Sequence, residues 1–379
     1  MASLSTVVLF FSTAEAQENS SMHWGLSNVQ EIWLANISNT SEDVEPVWLH
    51  YTDAAIGYEW SISDSWSLNM YGSAFFTNGN SISELVGDLQ GISNIEAHEG
   101  VEILEAWLEL TNQTGLRLKG GILDSNADFD TVDPAQFFIN SSHGIGPDFS
   151  SVGLSGPSIF PETGLGTIAF FEQEIWSVKL GVFDPLTRTS GIELNAASNV
   201  DWNRSDGVLI ASEVKVNTTA STLSLGMWTS TFSLEKSYME LSNLSNAKGI
   251  YTSLSRSDTF GDTYIRLGLS ESKNAYIDRY IGAGWVKNIS PNAILLSESL
   301  IGISWASARL GDLGIFSELP RDQHNSTDHS FEHVLEISTS TKLSEVVRLQ
   351  PNLQYIIQPG AQSNAQSRLV VGIRGVFEI

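Results

Sequence analysis

From about residue 22 the chain repeats one local pattern: roughly nine to seventeen residues in which apolar positions alternate with small or polar ones, then a turn. A period of two is the mark of a strand whose two faces meet different surroundings, and 3.6-period stretches are nearly absent. Residues 115–124, 174–183 and 367–377 show the alternation most clearly. About sixteen such segments begin near 24, 45, 66, 101, 115, 164, 174, 206, 220, 246, 261, 275, 296, 328, 345 and 367, which predicts an all-β chain.

The connections fall into two kinds that alternate. Short ones are 63–65, 112–114, 172–173, 217–220 and a few residues near Leu343; longer ones are 78–100, 125–163, 185–205, 233–245, 310–327 and 358–366. Short turns at one end, long loops at the other and an even strand number describe a transmembrane antiparallel β-barrel, with short periplasmic turns and long extracellular loops. A soluble sandwich has no reason to alternate its loop lengths and would be unusually large at this length.

Parity adds a second test. With the apolar parity facing lipid, Arg117, Lys119, Lys179, Lys215, Arg266, Arg348, Arg368 and Arg374 fall on the inner side. So do Glu59, Glu105, Glu109, Glu213, Glu298, Glu336 and Glu378. The other strand-borne bases, Arg256, Arg279, Lys287, Arg309 and Lys342, sit near strand ends, from where long side chains reach head groups. A sandwich also sets charge opposite its apolar side; charge inside with Leu, Val, Ile and Trp176 outside favours the barrel.

Composition narrows the function classes. The 379 residues carry 19 Lys and Arg against 44 Asp and Glu, a net charge of -25, so the clustered bases that phosphate contacts need are missing and nucleic acid is no partner. No cysteine is present, which excludes a disulfide scaffold, a thiolate zinc site and a Cys nucleophile. Sequons at Asn140 and Asn325 are chance matches in a chain rich in Ser and Asn. No run of about 18 apolar residues suggests a membrane helix. The apolar stretch Val7–Phe11 followed by Ala14-Glu15-Ala16 reads as the end of a signal peptide over 1–16, its start lying upstream, with one barrel domain over 17–379.

Three stretches resemble a known family: Val86-Gly-Asp-Leu-Gln-Gly-Ile-Ser-Asn-Ile-Glu-Ala97 with Glu105-Ala-Trp-Leu-Glu109; Gly121-Ile-Leu-Asp-Ser-Asn-Ala-Asp-Phe129 with Phe138-Ile-Asn-Ser-Ser142; and Leu349-Gln-Pro-Asn-Leu-Gln-Tyr-Ile-Ile-Gln-Pro-Gly360. In order and spacing they are similar to the carbohydrate-selective porins (OprB type) of Gram-negative outer membranes, across roughly residues 85–379. The ending Phe377-Glu-Ile379 departs from the aromatic last residue usual in outer-membrane proteins, and the first quarter matches loosely. The resemblance implies a sixteen-stranded barrel passing mono- and small oligosaccharides by passive diffusion, with no reaction, cofactor or metal. Its partners are then carbohydrates and outer-membrane lipid, as a monomer or homotrimer. A general or weakly anion-selective porin, and a soluble or surface glycan-binding β protein, stand as alternatives.

Competing motifs are weak. Residues 164–169 fit G-x-G-x-x-A, but Phe170-Phe171 continue a strand where a dinucleotide site needs a helix. Asp124-Ser-Asn-Ala-Asp128 opens like an EF-hand, but Phe129 replaces its glycine and Ala135 its closing glutamate; only a casual calcium stays open. The histidines, among them His98, His143, His324, His329 and His333, form no Ser–His pair on adjacent lipid-facing strands, so an enzyme is not expected.

Trp107 has inner parity between Glu105 and Glu109, and a flat ring beside carboxylates suits a pyranose; Tyr71 and Trp228 share that parity. The same rings could instead pack against loops in the lumen. Neighbouring strands bring Arg117 and Lys119 to this patch, and Lys179, Lys215, Arg266, Arg348 and Arg374 line the same wall. Eight inner bases against seven inner acids make a nearly balanced wall, which suits neutral solutes. Finally, 125–163 is far longer than ordinary loops and carries Phe129, Phe137, Phe138, Phe149, Ile159 and Phe160. It is expected to fold into the lumen, alone or with 78–100, bury those rings and leave Asp124, Asn126, Asp128 and Asn140 to line a constriction.

Overall fold

In a computed structural model the described residues are 20–36, 46–152, 156–185, 207–232, 246–271, 275–289, 298–312 and 330–379. The expected signal segment 1–16, the connections 185–205, 233–245 and 310–327 for the most part, and His324, Asn325 and His329 lie outside them.

The strands are β1 Ser20–Ala35, β2 Val47–Ser63, β3 Trp66–Gly79, β4 Gly100–Asn112, β5 Leu116–Leu123, β6 Gly164–Glu172, β7 Trp176–Phe183 and β8 Gly207–Asn217. They continue as β9 Ser221–Phe232, β10 Ala247–Asp258, β11 Gly261–Ser270, β12 Ile277–Asn288, β13 Ser299–Leu310, β14 Phe331–Ser344, β15 Val347–Ile357 and β16 Arg368–Glu378. Each pairs antiparallel with its sequence neighbours and β1 pairs with β16, so the sheet closes and leaves no edge. The closure runs to the last residue: Leu26 and Ile379 exchange backbone hydrogen bonds of 2.8 and 2.9 Å.

Alternation sorts the side chains as expected. Leu108, Leu180, Leu225 and Ile337 are exposed on the outer face, while Arg266, Glu213, Glu336 and Arg374 are buried inside. Two local departures have physical causes. A register shift between Ser73 and Ala74 leaves Leu104 of β4 as an extra, unpaired residue of the ladder, so parity counted from Val101 changes there. Glu298 precedes β13 and is exposed, so it is no mid-strand residue; its carboxylate stands 4.0 Å from Arg348.

The lumen is filled from the long-loop end by two segments. The inner loop, 124–163, carries the short helices α2 Ser125–Asp128 and α3 Pro147–Ser150; the companion loop, 80–99, carries α1 Ile82–Val86. Their apolar residues join the inward residues of the wall: Ile82, Ile92 and Ile95 pack with Trp33 and Val334, and Phe129 and Phe149 with Phe183 and Trp228. Gly302 makes room for this, since a Cβ there would stand 2.6 Å from the Phe137 ring and 3.0 Å from that of Phe138. Folding in removes these rings from water at about 25 cal/mol per Å², which repays the ordering of so long a connection.

Candidate functional site

The inner loop is built around acceptors for its own turns. Asp124 accepts from Asn126 N (2.8 Å) and Phe160 N (3.4 Å), tying the two ends of the loop together. Asn126 donates to Phe129 O (3.1 Å), and Asn140 accepts from Ser142 and donates to Gln354 Oε1 (3.1 Å). Phe129 stands edge-on to Phe183, Phe138 tilts against His143 and Tyr264, and Phe149 stacks on Trp228 and Tyr251 at 5.6 and 5.9 Å. Of the six residues expected at a constriction, Asp124, Asn126, Phe129, Phe138 and Asn140 are buried, and only Asp128 keeps some exposure, 15% of its side chain. The short polar residues turn inward because tight turns leave backbone N–H groups that need partners.

Burial pushes the Asp124 carboxyl up to about 6, against hydrogen bonds from Asn126 and Phe160 that act the other way. It pushes the His143 imidazole down to about 3, with Arg266 adding to the effect, so the ring is neutral as it bridges Tyr264 Oη (2.7 Å) and Ser304 Oγ (2.8 Å). Asp148 is raised well above the usual carboxylate range by burial and then by Asp130.

The wall supplies the clamps. Arg266 is 1% exposed and donates to the carbonyls of Asp130 (2.6 Å), His143 (3.1 Å) and Gly144 (3.1 Å) while pairing with the Asp130 carboxylate at 3.2 Å. Glu336 accepts from Ile139 N (2.8 Å) and Asn140 N (3.1 Å). Glu332 accepts from Leu89 N (2.9 Å), Gln90 N (3.1 Å) and Gly360 N (2.8 Å). Glu31 accepts from Ser93 Oγ (2.7 Å) and Trp33 Nε1 (2.6 Å) and pairs with Arg374. Arg266 and Arg374, expected on an open wall, are therefore buried under the loops. Trp228, expected to extend an aromatic track, lies beneath Phe149 for the same reason.

Across the barrel the side chains pair with one another. Tyr71 and Trp107 stack with centroids 5.1 Å apart and planes 23° off parallel, and Lys119 Nζ lies 4.4 Å over the Trp107 ring. Lys119 bridges Asp128 (3.0 Å) and Glu105 (3.8 Å). Arg117 reaches Glu109 (3.3 Å) and Glu172 (3.4 Å) and covers Phe170 at 4.2 Å. Lys179 pairs with Glu213 (3.2 Å) and donates to Asp128 O, and Lys215 reaches Thr131 (3.4 Å). Arg348 stands apart near the turn end, donating to Ser340 Oγ at 3.2 Å. Glu105, Trp107, Glu109, Arg117, Lys119 and Lys179 thus meet on one wall, β3–β8, with Asp128 of the inner loop against it, and base and acid stand 3–4 Å apart. Such pairing cancels net charge yet leaves strong local dipoles and a ring face.

The alternation reading passed over inward acids that the structure uses: Glu31, Asp53 and Glu332, all buried. Their parity is plain in the sequence; Glu31 faces Arg374 across the β1–β16 ladder, whereas Asp53 faces Ser27 and Phe75 and Glu332 faces Ala308. Asp53 Oδ1, Ser73 Oγ and Trp107 Nε1 are buried without a hydrogen-bond partner among the described residues, on three successive strands. At the loop end a pocket of about 560 Å³ opens between the two loops, bordered by Glu84, Glu96, Glu99, Glu162 and His98 over Phe160.

Residues 64–378 match the carbohydrate-selective porin, OprB family. No curated protein matches the chain in sequence. Among solved structures, the high-pH form of Pseudomonas putida OprB superposes with a TM-score of 0.74 at 15% identity, covering 94% of each chain. Salmonella typhi OmpF in complex with daunomycin gives 0.64 at 8% identity, over 97% of this chain and 100% of that one. An anion-selective porin from Comamonas acidovorans gives 0.60 at 10%, over 95% and 100%. At these identities the structural likeness speaks for the fold, a sixteen-stranded closed barrel.

Proposed function

The chain belongs to the carbohydrate-selective porin, OprB family, and from that membership we propose that sugars cross its barrel along the β3–β8 wall, past Tyr71, Trp107, Arg117 and Lys119. The protein is a carbohydrate porin of the outer membrane. Passage is diffusion, so the contacts must be weak and several rather than one tight site. The observation that carries the path is the Tyr71–Trp107 stack set among paired charges. A ring face takes the C–H side of a pyranose, and the partly exposed Glu105, Asp128 and Arg117 offer acceptors and donors to its hydroxyls, while the buried Glu109 and Lys119 balance their charge.

The inner loop narrows this path from the opposite side. Asp128 is its contact with the wall, and the Lys119–Asp128 and Lys179–Asp128 links set how far the loop stands from β5 and β7. Lys215 lies one strand further on, and Arg348 meets solute nearer the turn end. The test is a titration of single-channel conductance with glucose and maltose in planar bilayers. Trp107→Ala is expected to weaken sugar block at least fivefold while leaving ionic conductance within about twofold. Unchanged block would place the sugar contacts elsewhere in the lumen.

A further inference from the structure

The lipid-facing wall carries a feature that permeation does not use. Between β8 and β11, near the loop end, a groove of about 520 Å³ runs over the outer surface, lined by Ile210, Met227, Thr229, Lys248, Ile250 and Leu269. It exists because the outward positions Ser212 and Thr229 are short, where Leu225 and Leu180 stand on the same face lower down. Lys248 stands at its upper end. The strand register then sets Ile250, Leu269, Arg279 and Arg309 in one cross-strand row.

Two arginines directly opposite each other repel unless an anion intervenes. Arg309 has Asp278, at 2.8 Å through Nε, and is neutralised. Arg279 is exposed on the outer parity, and neither its side chain nor that of Lys248 has a hydrogen-bond or ion-pair partner among the described residues. Beyond Arg309 the outward rings of Phe331, His333 and Trp305 stack in succession, an aromatic girdle of the kind found at head-group level. An unpaired guanidinium at that depth, beside an apolar groove, calls for an anion joined to a hydrocarbon chain. Glu271 at the groove's edge is the one acid lining it.

We propose that this face binds one phosphorylated lipid of the outer leaflet, with an acyl chain in the groove between Met227, Ile250 and Leu269 and a phosphate between Lys248 and Arg279. The lipid supplies the anion that the described residues do not offer these two bases, and the short Ser212 and Thr229 shape a chain-sized slot.

The test is native mass spectrometry of the full chain released from detergent, after incubation with diphosphorylated lipid A, with its dephosphorylated form, or with lipid A plus inorganic phosphate. One lipid A per barrel is expected, reduced at least tenfold by Lys248→Ala/Arg279→Ala. Arg256→Ala, an outward base paired with Asp258 at the other end of β10, is expected to bind as the parent does. Thr229→Trp fills the groove without changing charge and is expected to lower retention as well, which keeps the proposal open to test if the double variant folds poorly. Equal retention by the double variant and by Thr229→Trp, or equal binding of the dephosphorylated lipid, would overturn it. Displacement of the lipid by millimolar phosphate would instead mark a simple anion site.

Discussion

The wall from β11 through β16 to β1 and the wall from β3 to β8 draw on the same inward Arg, Lys, Asp and Glu and use them differently. Glu109 faces Lys119 across the ladder and has Arg117 within reach, so its charge is met by a neighbour on the wall. Glu336 faces Ser304 on one side and Gln354 on the other, and its oxygens accept loop N–H groups. Glu332 faces Ala308 and does the same for the companion loop. Glu332 and Glu336, which face no base on the ladder, become docking points for backbone; Glu109 is met by bases on the wall, and Glu213 does both, pairing with Lys179 while accepting from Asp130 N. Burying an unmatched charge costs several kcal/mol, and either solution avoids that cost.

The largest effect on this contrast is expected from excising 135–155, which removes the part of the inner loop held by Glu336, His143 and Phe149. Single-channel conductance should rise severalfold and larger oligosaccharides should pass in liposome swelling. A deletion variant that folds but conducts as before would mean the narrow point is made elsewhere.

Next is Arg266→Leu. It strips the loop carbonyls of their donor and leaves Asp130 unpaired inside, a change worth about 3–5 kcal/mol. Thermal unfolding in detergent should show a lower midpoint, with noisier conductance as the loop loosens. An unchanged midpoint would mean the aromatic contacts alone hold the loop.

A pH effect of smaller size follows from Glu96 in the companion loop, which accepts hydrogen bonds from Ser81 and Ser83 and is pushed up to about 7 by burial. Its folded form binds its proton more tightly than the unfolded chain. The stabilisation is therefore full below about pH 4.5 and is lost as pH rises through 7, at most about 3 kcal/mol. Glu96→Gln should flatten that decline in melting temperature. Parallel curves for parent and variant would assign the pH dependence to other groups. His143 has the opposite sign: its depressed pKa makes stability fall as pH drops from about 6.5 toward 3.

The smallest effect concerns ion selectivity. Adding Glu31, Asp53 and Glu332 to the inner acids tips the wall from nearly balanced to acidic, yet most of that charge is buried under loops. Reversal potentials should show a weak cation preference; a strong anion preference would break the contrast between the two walls.

The amino-acid sequence by itself determined the strands, their number, the alternation of short and long connections and the side on which each strand-borne charge falls. All of these follow from a period of two and from local turns. It also marked 125–163 as a segment too long and too aromatic to lie in water, and the rings of Phe129, Phe138 and Phe149 are buried in the lumen as that composition demanded. What only the tertiary structure decided is which inward residues remain on the solute side. Arg117 and Arg266 have the same parity and the same chemistry. One lies beside Glu109 on the next strand, whereas the other lies under Asp130 and Gly144, more than a hundred positions away in the chain. Parity chooses a face, a property of each strand alone. Whether that face meets solute or a loop depends on where a distant segment folds back, and no local pattern carries that information.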